Sequence, residues 1–355
     1  MTTAPIPTGM SDVTADWLTE AIGPSFGGAR VTDVERTQIG TGQIADSVRL
    51  ALTWDPPGAG PPSLVAKVTS GSEDSRQAAL STRTYEVEVG FYSTLADRLP
   101  VRRPGCHWTG FDPARAAYGI VLEDLAPAEQ GDQMRGCSVD EAALAVDELA
   151  LLHAPFWGRG DDVATLPWIT RGSSTTSPTM APFLQALLPG FFERYGDRLT
   201  PSVRELVERV VPRYGSAPAY DGVEAVVHGD YRNDNLMFGG TDGRVCVLDW
   251  QTVSIGPPVA DVSYFLGGSL LPDDRRSHER ELLERYCGRL RDQGVELDVE
   301  ACSADYRRFA FSGLNMAIFA SMIVGRTDRG DEMFVAMADR AGLHALDHDS
   351  EGLFD

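Results

Sequence analysis

The sequence predicts an α+β protein in which a small antiparallel sheet precedes a larger, mostly helical region. Runs typical of strands are concentrated between residues 31 and 122, and helical periodicity dominates after residue 138. The 355 residues also exceed the length at which one core usually stops growing, about 250–300 residues. We therefore expect an N-terminal lobe over residues 1–122, a hinge over 123–127 and a helical C-terminal lobe over 128–355.

The composition narrows the range of partners. A formal charge of −21 and a pI near 4.6 argue against nucleic-acid binding, which needs clustered lysine and arginine, but permit a cationic substrate. The five cysteines include no C-x-x-C pair, and residues 1–10 lack the basic start and apolar run of a signal peptide. The most apolar stretch, residues 309–324, is short for a bilayer and contains polar side chains. These features predict a cytoplasmic protein without a nucleic-acid or membrane partner.

After a short helix near Trp17, residues 31–36 and 47–53 predict two strands. The loop that joins them contains Gly40, Thr41 and Gly42. Glycines between strands let the backbone approach a phosphate closely and offer N–H donors to it. An ordinary hairpin turn is the alternative interpretation.

Residues 64–68 predict a buried strand that carries Lys67. An ammonium group inside an apolar strand is costly unless it meets a carboxylate or a phosphate. A helix predicted over residues 76–99 follows and carries Glu86 and Glu88, which lie on different helix faces. Either glutamate could pair with Lys67, and an edge-strand lysine that reaches water is the remaining alternative.

Two further strand-like runs, 106–111 and 117–122, complete the predicted sheet. Ser138 and Glu141 form an S-x-x-E capping box, which predicts a helix that runs to His153. We interpret His153, a single histidine on an apolar face, as a packed structural residue. More helices are predicted over 180–195, 202–214, 259–266, 273–291, 298–325 and 331–346.

The most informative stretch, residues 226–251, is predicted to form a β-turn-β unit, with a hairpin between the apolar runs 235–238 and 245–248 across glycine-containing turns. It would bring together Asp230, Asn235 and Asp249. Because Mg²⁺ binds one or two protein carboxylates together with substrate phosphates, Asn235 and Asp249 are candidate Mg²⁺ ligands. Asp230 is then left to accept a proton from an attacking hydroxyl, as phosphoryl transfer requires. An acidic hairpin that only turns the chain is the alternative.

The segments HGDYRNDNLMF, VLDWQ and GPPVADVSYF begin at His228, Val247 and Gly256. They resemble the aminoglycoside phosphotransferase and choline kinase-like family, which is distantly related to protein kinases. Their sequences are most similar to those of bacterial small-molecule phosphotransferases and of the ecdysteroid-kinase-like branch. The resemblance implies a bilobal protein-kinase-like fold. It also implies ATP-dependent, Mg²⁺-assisted transfer of the γ-phosphoryl group to a hydroxyl of an aminoglycoside-like or other small-molecule alcohol.

The resemblance further implies roles for individual residues. The E-x-x-F-Y wording of the family selects Glu88 as the partner of Lys67, with Glu86 still open, and this pair would orient the nucleotide phosphates. The other implied roles are nucleotide contacts by Gly40, Thr41, Gly42, Glu123 and Leu125, Mg²⁺ ligation by Asn235 and Asp249, catalysis by Asp230, and structural support by His228 and Asp261.

Two other functions remain open on the sequence alone. A nucleotide-binding pseudokinase would regulate a partner, and a metal-dependent phosphoester hydrolase would use His228, Asp230 and Asp249 without ATP. Separately, His344 and His348 stand four residues apart, as paired metal ligands on a helix do. The sequence shows no third ligand for them, and we assign no metal site there.

Overall fold

The computed structural model describes residues 4–40, 44–172 and 180–354. The chain divides into two compact units. The first comprises Met1–Asp97, Arg103–Ala126 and Asp249–Gln251, and the second comprises Arg98–Arg102, Pro127–Leu248 and Thr252–Asp355. The change from one unit to the other at Ala126 falls inside the segment predicted as a hinge. The return of three residues, Asp249–Gln251, to the first unit was not predicted.

The first unit is built on a five-stranded antiparallel sheet in the order β1-β2-β3-β5-β4. Its strands are β1 (Arg30–Ile39), β2 (Ala45–Asp55), β3 (Ser63–Thr69), β4 (Cys106–Asp112) and β5 (Ala117–Glu123). On β3, Leu64, Ala66 and Val68 are buried in a core that also contains helix α1 (Ala15–Ile22). Because side chains alternate along a strand, Lys67 points to the opposite face of the sheet.

The helix predicted over residues 76–99 is wrong as a single element. The structure contains α2 (Glu73–Ser81), then α3 (Thr84–Gly90) and a π-helical turn (Phe91–Leu95). Arg83 separates the two helices with a φ of 60°. This left-handed conformation cannot continue a right-handed helix, so the chain restarts with a new helical phase that α3 and Glu88 follow.

The second unit is mostly helical. The Ser138–Glu141 capping box is present, with reciprocal hydrogen bonds of 3.2 and 2.8 Å, and it starts the predicted helix. The predicted helix over residues 298–325 is instead two helices separated by a turn at residues 309–311. The helices are α4 (Val139–His153), α5 (Ala181–Tyr195), α6 (Pro201–Val210), α7 (Pro258–Ser269), α8 (Pro272–Asp292), α9 (Val299–Arg308), α10 (Ser312–Ile323) and α11 (Asp328–Asp347).

The hairpin predicted within residues 226–251 is present between its last two strands, but the pairing of its first strand was not predicted. The short strands of this unit are β6 (Glu129–Gln130), β7 (Ala225–Val227), β8 (Leu236–Phe238), β9 (Cys246–Val247) and β10 (Ser254–Gly256). Strand β8 pairs with β9 and β6, whereas β7 pairs with β10. Gly229 turns the chain away from β7 with a φ of 81°, a conformation that glycine adopts without strain. Residues 228–235 therefore form a loop between two separate sheets.

The predicted α+β class, a small antiparallel sheet followed by a larger helical region, is confirmed. Within the part of the chain that the structure describes, no helix combines the length and the hydropathy that crossing a bilayer requires.

Candidate active site

In the first unit, Lys67 is bound by two carboxylates. Its Nζ lies 2.7 and 2.9 Å from the two carboxylate oxygens of Glu88 and 2.8 Å from Oδ1 of Asp249. Glu88 is only 2% exposed. Of the 31 lysine and arginine residues in the sequence, Lys67 alone is a lysine. The one ammonium side chain of this protein is therefore held at a single carboxylate-lined position.

The structure pairs Lys67 with Glu88 and not with Glu86. Glu86 instead accepts a 2.8 Å hydrogen bond from Arg83, three residues earlier. Burial alone would lower the pKa of Lys67, but Asp249 and Glu88 outweigh it and raise the pKa above its usual range. Lys67 thus remains an ammonium ion throughout the physiological pH range.

Tyr118 anchors the glutamate of this pair. Its hydroxyl donates a 2.5 Å hydrogen bond to Oε2 of Glu88, and its ring stacks on Tyr85 with centroids 4.3 Å apart. Burial first, and then Glu88, raise the pKa of Tyr118 well above its usual value, so the hydroxyl stays a donor. The local pattern of β5 does not distinguish Tyr118 from a core tyrosine, so the sequence alone did not indicate its role.

Asp249 is held by its own neighbours in the chain. It adopts a φ of 62°, which is uncommon for a residue other than glycine. Gln251 donates to Oδ2 of Asp249 over 3.0 Å, and the buried ring of Trp250 stacks on Phe91 with centroids 4.1 Å apart. Backbone strain of this kind persists only where surrounding contacts impose it and is typical of functional positions.

In the second unit, the carboxylate of Asp230 has three side-chain partners. Tyr264 donates to Oδ1 over 2.7 Å, and Nε of Arg232 lies 3.2 and 3.3 Å from the two oxygens. The amide of Asn235 donates to Oδ2 over 2.9 Å and to the backbone oxygen of Asp230 over 2.8 Å. The orientation of Asp230 is therefore fixed from several directions.

The loop that carries Asp230 is braced by Asp261 in α7. This buried aspartate accepts the backbone N–H groups of His228 and Gly229 over 2.6 and 3.0 Å. His228 in turn uses both ring nitrogens on the backbone: Nε2 lies 2.9 Å from the oxygen of Leu248, and Nδ1 accepts the N–H of Asp230 over 3.2 Å. His153 contacts Tyr286 and Asp261 inside the core, which is a structural arrangement.

Asp234 ties the same loop to two other segments. Its carboxylate accepts the N–H of Gln133 over 2.9 Å and contacts Arg232 over 2.8 Å and Arg329 over 3.2 Å. Burial acts to raise the pKa of Asp234, but Arg232, Arg329 and the Gln133 N–H together lower it below the usual value. Arg232 therefore bridges the carboxylates of Asp230 and Asp234.

The structure gives less detail on the other residues that were predicted to contact the nucleotide. Gly40 follows β1 with a φ of 71°, and Thr41 and Gly42 lie outside the described residues. Glu123 ends β5 and accepts the N–H of Gly105 over 2.9 Å, while Leu125 is half-buried after it.

Sequence reasoning missed Arg232 and Tyr264 as partners of Asp230. Both lie inside segments that the sequence analysis had quoted, HGDYRNDNLMF and GPPVADVSYF. For Tyr264 the available signal is a hydroxyl in the largely apolar segment GPPVADVSYF, which needs a buried partner, whereas the polar segment around Arg232 gives no such signal.

The chain matches the model of the phosphotransferase enzyme family over residues 73–297. It is similar in structure to choline kinase from Cryptosporidium parvum Iowa II, with 11% identity, a TM-score of 0.56 and coverage of 90% of this chain and 89% of that one. It is also similar to a GDP complex of a point mutant of aminoglycoside 2′-phosphotransferase IIIa, with 14% identity, a TM-score of 0.53 and coverage of 91% and 95%. At these identities the likeness establishes the protein-kinase-like fold.

Curated relatives match shorter segments. Over 65 residues the chain is 40% identical to acyl-CoA dehydrogenase family member 11 from Gallus gallus, and over 136 residues it is 26% identical to the Rattus norvegicus protein. These matches span only 8% and 17% of the length of those relatives. Since the family model covers more than half of the sequence, the chain belongs to the phosphotransferase enzyme family and carries the protein-kinase-like fold that the resemblance to aminoglycoside phosphotransferases and choline kinases implied.

Proposed function

We propose that the chain is an ATP-dependent kinase that transfers the γ-phosphoryl group to a hydroxyl of a small-molecule alcohol. The observation that carries the proposal is the contact of Lys67 with both Glu88 and Asp249. Such a cluster adds little stability, because the desolvation of three charges offsets most of their attraction. It suits a kinase, in which a lysine positioned by a glutamate binds the nucleotide phosphates.

In this proposal, Lys67 contacts the phosphates and Glu88 holds it in place. The loop at Gly40, Thr41 and Gly42 covers the phosphates, and the backbone of residues 123–125 meets the edge of the adenine. One structural neighbour is a GDP complex, so GTP is a second nucleotide to test.

Asp230 is the proposed catalytic base. It positions the hydroxyl of the acceptor and takes its proton while the oxygen attacks the γ-phosphorus. Its partners Tyr264, Arg232 and Asn235 support this role, because a carboxylate that is already oriented need not be ordered during the reaction. His228 is a scaffold residue in this proposal, since backbone groups engage both of its ring nitrogens.

Asn235 and Asp249 are the proposed Mg²⁺ ligands, each on the chemistry of its own side chain. Both amide hydrogens of Asn235 are donated to Asp230, which leaves its carbonyl oxygen as the group to bind a cation. Asp249 offers anionic oxygens, the ligands that a hard cation prefers. When bound, Mg²⁺ neutralises charge on the nucleotide phosphates.

The acceptor is proposed only as a class. The structural neighbours include a choline kinase and an aminoglycoside phosphotransferase, whose names imply cationic alcohols. The net charge of −21 is compatible with a cationic acceptor. A neutral alcohol is equally compatible with the proposed chemistry, so the panel of acceptors has to contain both kinds. A cytoplasmic location stays a prediction.

The nucleotide half of the proposal is tested by isothermal calorimetry of ATP and GTP with and without Mg²⁺. We expect Mg²⁺-dependent binding in the wild type that is lost in Asp249→Asn. Asp242→Asn is the matched control, because Asp242 is a surface aspartate that pairs with Arg102 and accepts the backbone N–H of Arg244. Absence of nucleotide binding in the wild type would remove the kinase from consideration.

The transfer half is tested by nucleoside diphosphate release in the presence of a panel of cationic and neutral alcohols. With an accepted alcohol, Asp230→Asn should bind nucleotide as the wild type does and lose about 10²–10⁴-fold in kcat, the usual contribution of a general base. Nucleotide binding without transfer to any alcohol would favour a pseudokinase. Cleavage of a phosphoester in the absence of nucleotide would favour the hydrolase.

A further inference from the structure

Three side chains that can bind a metal ion meet in the second unit, and none takes part in the proposed transfer. Glu279 lies in α8, His344 lies in the last turn of α11, and His348 follows that helix as its C-cap. One ligand atom of each lies within 4.8 Å of those of the other two. Nε2 of His348 is 3.1 Å from Oε1 of Glu279. The fold thus supplies the third ligand that the spacing of the two histidines lacked.

His344 provides an independent indication. Its side chain is fully buried, and neither ring nitrogen has a hydrogen-bond partner among the described residues. Buried polar atoms are nearly always paired, so an imidazole without a partner requires an explanation. A Cβ placed on Gly267 would lie 2.3 Å from Nδ1, which shows that Nδ1 packs against the backbone of α7. Nε2 is the nitrogen left to bind a ligand.

We propose that Glu279, His344 and His348 bind a divalent transition-metal ion of the zinc class. Two imidazoles and one carboxylate are a donor set that Zn²⁺ accepts, with water in a fourth position. Ligand bonds of about 2.0–2.2 Å require the three groups to move slightly closer together. His348 can make this adjustment, because it lies beyond the last turn of α11 and its side chain is 24% exposed.

The surroundings of Glu279 orient it for this role. Its Oε2 accepts hydrogen bonds from Arg275 over 2.6 Å and from the hydroxyl of Tyr306 over 3.1 Å. Oε1, the other oxygen, faces His348. Outer partners of this kind fix the direction of a metal ligand. Arg275 also contacts Asp347, so its guanidinium beside the proposed ion is paired with a second carboxylate.

The consequence of metal binding would be a link between α8 and the end of α11. Such a link stabilises the folded chain, because a preformed set of three ligands is absent from the unfolded chain. The partial exposure of His348 gives the ion a route to the cluster. The proposal does not depend on phosphoryl transfer, and its test needs no activity.

The test uses the full chain without an affinity tag, stripped with EDTA and dialysed against micromolar Zn²⁺ in millimolar Mg²⁺, which keeps oxygen-rich sites occupied. Metal analysis should find one zinc ion per chain in the wild type. The loss of an outer partner already lowers affinity by about 10–100-fold, so His348→Ala should lose at least as much. His278→Ala is the matched control, since His278 lies in α8, the helix that carries Glu279, and its side chain is 41% exposed.

Glu279→Gln and substitution of Co²⁺ for Zn²⁺ give second readouts. Glu279→Gln should weaken binding as His348→Ala does, and Co²⁺ should show the visible absorption of a four-coordinate site in the wild type and in His278→Ala only. Circular dichroism of each variant establishes that it is folded. The proposal is overturned if the folded wild type binds no zinc, or if His348→Ala retains as much zinc as His278→Ala.

Discussion

The hydroxyl of Tyr264 donates a 2.7 Å hydrogen bond to Oδ1 of Asp230. Tyr264 is buried in α7, and burial followed by the charge of Asp230 raises the pKa of its hydroxyl well above the usual value. The hydroxyl is therefore a permanent donor at any working pH. Because Arg232 and Asn235 contact the same carboxylate, three side-chain donors orient Asp230.

Replacing Tyr264 with phenylalanine should lower kcat for transfer. The substitution removes one of the donors that orient Asp230, and misplacing a positioned group of this kind should lower kcat by up to about 100-fold. The Kd for nucleotide should stay unchanged. Steady-state kinetics and calorimetry on the same preparation measure both quantities.

Tyr214→Phe is the control for that prediction. Tyr214 is also buried and also donates a 2.7 Å hydrogen bond, but to Asn315 in the helical core. It should lose stability to a similar extent while keeping kcat within about twofold. An equal loss of kcat in both variants would mean that Tyr264 acts only through stability.

Lys67 should titrate above the usual pKa of lysine, about 10.4. Since it is the only lysine in the sequence, selective ¹⁵N-lysine labelling gives one Nζ signal that needs no assignment. A folded-state pKa that is raised adds stability below the unfolded pKa, and this stability is lost as the pH rises through the folded value. The measurement is an alkaline NMR titration of the folded chain against the urea-unfolded chain, and a folded pKa at or below the unfolded one would contradict the prediction.

Glu88→Gln should impair the use of nucleotide much more than Glu86→Gln. Glu88 contacts Lys67 directly, whereas Glu86 pairs with Arg83 near the surface. Misplacing the lysine should lower kcat/KM for nucleotide by about 100-fold, the cost of a small displacement of a positioning group. Glu86→Gln is the matched variant, with the same change of charge in the same helix. Equal effects in the two variants would argue against the role of Glu88.

Asp234→Asn should destabilise the protein in a pH-dependent manner. Loss of the charge contacted by Arg232 and Arg329 should lower the free energy of unfolding by about 1–3 kcal/mol at pH 7. Because the pKa of Asp234 is lowered in the folded chain, its contribution is complete above the unfolded pKa, about 3.9, and is lost as the pH falls through the folded value. Urea unfolding should show a constant gap to the wild type from pH 8 to about pH 5, which narrows as the pH falls below about 4.

The surface variant Asp242→Asn serves as the reference for that measurement. Its side chain is 41% exposed and its pair with Arg102 lies at the surface. A change within about 0.5 kcal/mol is expected. If both substitutions cost the same, the buried position of Asp234 contributes nothing.

Gly267→Ala and Gly288→Ala should change stability in opposite directions. A Cβ at Gly267 would lie 2.3 Å from Nδ1 of the buried His344, so overpacking should cost about 1–3 kcal/mol. At Gly288, in α8, an added Cβ has no described atom within 4 Å apart from its chain neighbours and the backbone of its own helix, and alanine should stabilise the helix by about 0.5–1 kcal/mol. Thermal unfolding of the two variants measures the contrast, and a neutral Gly267→Ala would show that His344 can move.

Sequence patterns predicted some elements correctly because the physical signal was local. Alternation along β3 marked a strand with Lys67 on one face, and Ser138 with Glu141 marked the start of α4. The helix over residues 76–99 was predicted wrongly, because Arg83 adopts a left-handed conformation that no glycine or proline at that position signals. For the same reason the sequence could not choose between Glu86 and Glu88, because the direction in which each side chain points depends on where α3 begins.

The pairing of β7 was also beyond local reasoning. Residues 226–251 contain the turn signals of a hairpin, and the β8–β9 part of it is present. Strand β7 nevertheless pairs with β10, which follows Asp249 in the sequence. Strand pairing depends on contacts across the fold, and the turn at Gly229 directs the chain towards a partner that the spacing of turns does not reveal.

By itself the sequence determined the fold class, the family and the identity of most candidate site residues, since period, turn chemistry and short segments are properties of neighbours along the chain. Only the tertiary structure decided which donor serves which acceptor: Lys67 and Glu88 are 21 residues apart, Tyr264 and Asp230 are 34 apart, and His348 and Glu279 are 69 apart. A hydrogen bond requires its two heavy atoms to lie within about 3 Å. For residues so distant in sequence, only the packing of helices and strands brings the two atoms that close together.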